Sequence, residues 1–225
     1  MAQRNGEKPR LVNFLDGHSL YGVVEYLRAR TGVAAKTDYL QLRSTLDAVV
    51  RPHWDLAAAQ KTVAFLTYNP NDQRTSKFHE TLKRNDFLVV RCPYVDVGVT
   101  PSTSGERETI KQGGPVRSLA VPLSYAIGQL AERQDGESQS GQIVAVTGAH
   151  EIVIALQAFV ERGGQAVVAW PRSLLDPIWT HHDALSVFDD SSRVSFFDLG
   201  PYAREIFGVD IPASEGGESD TLSGL

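Results

Sequence analysis

Two short segments carry the side chains best suited to chemistry. Asp16-Gly17-His18-Ser19 and Thr147-Gly148-Ala149-His150-Glu151 each follow an apolar run, and each combines an acid, a histidine and a hydroxyl residue. A carboxylate at the end of a strand has two uses. It can cap the next helix by accepting from free backbone amides, or it can supply oxygen to a metal ion. Asp16 fits either use, whereas Glu151, in the first turn of a helix, is already accounted for by the helix dipole. His18 and His150 can bind a transition metal or act as general bases, but loop histidines are more often partly exposed side chains with neither role. The same holds for His181-His182. Thr147, with the amides of residues 148–150, would make an anion site at a helix N-terminus that needs no acid.

The elements that must position these residues follow from hydrophobic periodicity. Strands are expected over residues 11–15, 62–68, 87–92, 142–146 and 165–170, each a short apolar run bounded by turn residues. Between them, helical spacing predicts helices over 19–30, ended by Gly32, and over 37–50, stopping before Pro52. Further helices are expected from the Asn69-Pro70-Asn71-Asp72 turn to about Arg84, over about 116–133, and from 150 to Gly163-Gly164. Residues 97–114, rich in Gly, Ser, Thr and Pro, read as a loop. Short elements near 174–182 and 194–199 precede a small, polar, acidic tail. Alternating strands and helices predict a three-layer α/β/α sandwich with a mainly parallel central sheet. The expected organisation is a polar extension over 1–10, one domain over 11–208, and a disordered tail over 209–225. Ligands of such sheets sit outside the carboxyl ends of the strands, which is where both segments fall.

Asp16-Gly17-His18-Ser19-Leu20 resembles the opening Asp-Gly-x-Asn-Leu motif of the NYN branch of the PIN-like nucleases. Later landmarks arrive in that family's order. Phe65-Leu66-Thr67-Tyr68, a basic helix and Phe87-Leu88-Val89-Val90 look like its second unit. Lys111-Gln112-Gly113-Gly114-Pro115-Val116 lies where Lys-x-x-Gly-Val-Asp would open a helix. Ile143 to Glu151 resembles a strand ending in Ser-Gly-Asp-x-Asp. The resemblance implies a PIN-like fold over most of the chain. For active relatives it also implies hydrolysis of RNA by acids that hold Mg²⁺ or Mn²⁺ and generate a hydroxide.

By the same resemblance the acidic cluster is depleted. Asp16 matches, but Ser19 replaces an Asn, Val116 and Pro122 stand where acids are expected, and Ala149 replaces an Asp. Glu151 keeps the charge of the last acid. The implied metal pair is Asp16 and Glu151, which would also be the catalytic residues. Each missing carboxylate removes several kcal/mol of attraction for a divalent ion, at roughly the effective dielectric of a protein site. Arg117 instead puts a cation beside the position of a lost acid. Ser19, Lys111, Arg117, Thr147 and His150 are therefore the candidate contacts to nucleic acid. The expectation is a domain with depleted catalytic acids that binds RNA or a protein partner within a larger assembly. The alternative is an active metal-dependent ribonuclease.

Composition sets the outer bounds. The chain has 225 residues, 42% hydrophobic and 22% charged, enough for one sizeable core. Its net charge of −5 argues against a general nucleic-acid coat but not against a local basic rim at Arg74, Lys77, Lys83, Arg84, Arg91 and Arg107. The single Cys92 forbids an intramolecular disulfide, and a cytoplasmic location is expected. The first ten residues lack a signal-peptide pattern, and no apolar run approaches the roughly 18–20 residues of a membrane helix. No Gly-x-Gly-x-x-Gly or Walker-type loop points to a nucleotide site. A homo-oligomer stays open.

Overall fold

Asp16 ends the first strand because its carboxylate starts a helix. In the computed structural model, which describes residues 10–68, 73–93, 119–134, 141–174 and 194–212, β1 (Leu11–Asp16) passes directly into α1 (Gly17–Thr31). The Asp16 side chain accepts from the backbone amides of His18 and Ser19, and Gly32 closes the helix in the left-handed conformation at φ 67°. Leu20, Val23, Val24 and Leu27 form its buried stripe, one turn apart as their spacing requires.

The expected second helix forms in three pieces. α2 (Tyr39–Thr45) widens into a π-helical stretch, Leu46–Val50, and runs on as α3 (Arg51–His53). Pro52 therefore does not end it. The widened turn carries the backbone past a residue that has no N–H to donate. β2 (Ala59–Tyr68), α4 (Gln73–Arg84) and β3 (Phe87–Pro93) follow, then α5 (Ala120–Gln134) and β4 (Gln142–Val146). A short 3₁₀ turn, His150–Ile152, leads into α6 (Val153–Glu161) and β5 (Gln165–Trp170). β6 (Val194–Asp198) and α7 (Ala203–Phe207) complete the described chain.

The six strands form one sheet in the order β3-β2-β1-β4-β5-β6, and every neighbouring pair is parallel. Strand alternation divides the interior into two cores. Leu11, Leu15, Ala64, Leu66, Val144, Val146, Val167 and Ala169 face α1, α2, α4 and α7. Phe14, Val63, Phe65, Ile143, Ala145, Ala166 and Val168 face α5 and α6. This is the three-layer α/β/α arrangement, with a sheet that is wholly parallel rather than mainly so. Both faces of β4 and β5 are dry, which is why these strands read as unbroken apolar runs.

α7 has no counterpart in the periodicity. Five residues are too few to show one, and tertiary contact holds the helix: Ile206 and Phe207 are buried, and their carbonyls accept from Asp38 N and Lys36 N. Val209 and Ile211 also pack on the first core, so packing continues past residue 208. The first nine residues, the segment 97–114, His181-His182 and the chain after Pro212 lie outside the described residues.

Candidate switch-point site

The sheet winds outward in both directions from the β1–β4 pair. Their carboxyl ends therefore open the crevice in which sheets of this topology take ligands. Asp16 and Thr147 stand on its two sides.

Asp16 is 1% exposed, and its carboxylate is surrounded by donors. Oδ1 accepts from His18 N at 3.0 Å and Ser19 N at 3.1 Å. Oδ2 accepts from Ser19 Oγ and Thr147 Oγ1, each at 2.7 Å. The Thr147 oxygen in turn accepts from Ala149 N at 3.0 Å, so one relay links the starts of both crossover segments. The 3.4 Å between the Ser19 and Thr147 hydroxyl oxygens is a close approach, since each proton already goes to Asp16. A carboxylate offers about four acceptor positions, and these four donors fill them.

That arrangement stabilises an anion and directs no free lone pair at a cation. It also fills the N-terminus of α1 with the chain's own negative charge, at the place where a phosphate would bind. The charge is felt nearby. Burial first and Asp16 second push the Tyr39 phenol and the Cys92 thiol above their ordinary values.

Both glycines of the crevice are used by packing. A Cβ on Gly17 would collide with Leu66 Cδ2 and lie 2.7 Å from the Phe65 carbonyl oxygen. One on Gly148 would lie 2.9 Å from the Trp170 indole. Neither leaves a hollow for a ligand.

The other candidates separate. Ser19 and Thr147 meet at Asp16, as their strand-end positions imply. Glu151 does not join them. Its side chain is 49% exposed, and its ion-pair neighbour is His150, with Nδ1 3.7 Å from Oε2. His18 reaches Asp16 only through its backbone, while its buried Nδ1 has no hydrogen-bond partner among the described residues. Pro122 lies in the first turn of α5, and Lys111, Val116 and Arg117 lie outside the described residues. Among the described residues no group of three or more His, Cys, Asp or Glu side chains is placed to hold a metal. The Mg²⁺ or Mn²⁺ role assigned by resemblance does not fit Asp16 as it stands, because its carboxylate already accepts four hydrogen bonds, while the Glu151 side chain is 49% exposed beside His150. Tyr39 was the residue not singled out from sequence. Its place at the start of an apolar helix gave the only signal.

No protein-family model, curated protein or solved structure matches this chain. Among the described residues no helix is long and apolar enough to cross a membrane.

Proposed function

We propose that this chain is a non-hydrolytic NYN/PIN-like domain that works by binding RNA or a protein partner within a larger assembly. The observation that carries the reading is the saturation of Asp16. The acid that would hold a catalytic metal instead accepts four hydrogen bonds, three from the start of α1 and one, from Thr147, that ties the end of β1 to the end of β4. Its role in this reading is architectural, and among the described residues no group of three or more His, Cys, Asp or Glu side chains is placed to hold a metal. The ordered landmarks from Asp16 to Glu151 support the family assignment, and the eroded acidic positions support loss of cleavage.

The test is incubation of the full chain with labelled single-stranded and structured RNAs in Mg²⁺ or Mn²⁺. No cleavage above the metal-only control is expected. Metal-dependent cleavage that disappears in Asp16→Asn would overturn the reading. Retention of the same RNAs without metal examines the binding half. Lys111→Ala with Arg117→Ala should weaken retention several-fold, whereas unchanged retention leaves the protein-partner version.

A further inference from the structure

Away from the switch point, the face that carries α5 holds an open groove of about 410 Å³ between α5 and strands β1, β2 and β3. Its floor is apolar, with Phe14, Val63 and Phe65 buried beneath it. Leu88 on β3, 54% exposed, and Tyr125 on α5, 70% exposed, form its two walls.

Two of the three polar side chains that line the groove, Lys61 and Gln129, lie at one end, and the third, Tyr125, stands on the exposed wall. Lys61, Val63 and Phe65 alternate onto this face of β2, with Lys61 at the amino end of the strand. α5 joins two parallel strands, so it runs opposite to them and brings Gln129 to that same end. From Lys61 to Phe65 the strand covers about 13 Å of apolar floor. No Asp or Glu lines the groove, and Lys61 has no carboxylate partner among the described residues.

A groove whose ammonium and amide lie at a single end, and whose remaining lining is apolar apart from the Tyr125 phenol on the exposed wall, is complementary to a molecule with one polar head and an apolar tail. We propose that it binds a single-chain aliphatic carboxylate, with the head at Lys61 and Gln129 and the tail along Val63, Phe65 and Val90. A protein helix or a second copy of the chain would have to cover both walls and would gain little from having the polar groups at one end.

The experiment is calorimetric titration of the full chain with octanoate, decanoate and dodecanoate, each kept below its micelle-forming concentration, and with decanol. Affinity should rise by about two- to fourfold per added methylene, the lower figure holding where the tail stays partly wet. Lys61→Ala should weaken decanoate up to about fivefold, as for an exposed ion pair, and leave decanol unchanged. Ala126→Trp, which fills the groove from α5, should abolish binding of both. Leu88→Trp fills it from the opposite wall, should the first variant fail to fold. Absent binding, affinity independent of chain length, or equal losses for acid and alcohol in Lys61→Ala would each overturn the proposal. So would dodecanoate binding that survives in a folded, groove-filled variant. A concentration-dependent dimer of the wild-type chain, dissolved by Ala126→Trp, would give the groove to a second copy and also overturn it.

Discussion

The Thr147 hydroxyl donates to the Asp16 carboxylate at 2.7 Å, although 131 residues separate them along the chain. The bond closes the carboxyl ends of two adjacent parallel strands. It is charge-assisted and buried, the setting in which a lost donor costs most.

Thr147→Val keeps the shape and removes that donor. It should destabilise the domain by about 1.5–3 kcal/mol, the range for hydrogen bonds to charged groups. Thr147→Ser keeps the hydroxyl and should recover most of the loss. Urea unfolding at neutral pH measures both, and equal midpoints for the wild-type and Val forms would contradict the structural role of the bond.

Two glycines of α1 should respond to Ala with opposite signs. Gly17→Ala drives a Cβ against the Phe65 carbonyl, which is backbone and cannot swing away, so a loss of about 1–3 kcal/mol is expected. Gly22 meets nothing within 4 Å on the exposed side of the helix, and Gly22→Ala should stabilise by about 0.5–1 kcal/mol. Thermal unfolding of the two variants side by side decides the matter.

His79 should make stability depend on pH. It is 1% exposed on α4, its Nδ1 has no hydrogen-bond partner among the described residues, and its ring lies 6.0 Å from that of Tyr68. Burial, followed by the charges of Arg91 and Lys83, holds it below the ordinary value of 6.5, with Glu80 acting weakly the other way. The unfolded chain therefore takes up this proton first as pH falls. The contribution is full above about 6.5, declines as pH drops below that, and levels off once the folded histidine titrates. Urea midpoints between pH 7.5 and 5.5 should fall in the wild type and fall less in His79→Leu. Parallel profiles would assign the slope to other groups.

Gln142 anchors the amino ends of the strands. Its Oε1 accepts from Ala57 N at 2.8 Å, and its Nε2 donates to Gln165 Oε1 at 2.9 Å. Gln142→Leu leaves a part-buried backbone amide unpaired, at a cost of about 1–3 kcal/mol. Hydrogen exchange at the Ala57 amide should accelerate while Ser19 and Ala149, at the far end of the sheet, keep their protection.

What could be read in the sequence was governed by how local each cause is. β4 and β5 match their expected bounds to the residue because burial on both faces makes the whole strand apolar. α1 was legible through its stripe and its capping residues. The π-helical turn before Pro52 and the five-residue α7 were not, since tertiary packing rather than local pattern sustains them. At the site, Asp16, Ser19 and Thr147 were identifiable by their strand-end positions. Which groups would use up the lone pairs of Asp16 was not, because one donor comes from another crossover. The pairing of Glu151 with His150 was not legible either: sequence order places Glu151 at the strand end but does not orient its side chain.

The position of β1 has a consequence for the growing chain on the ribosome. β1 pairs with β2 on one side and with β4 on the other, beginning with Leu11 against Gln142. Until Gln142 to Val146 emerge, the central strand has a bare edge, and the face that β4 will share stays incomplete. Closing so long a loop is slow, and an exposed parallel edge invites pairing with another molecule. Fragments ending before Gln142 should therefore associate or be degraded, whereas those that include β6 and α7 should resist protease. A strand central to the finished sheet is thus the one exposed longest during its synthesis.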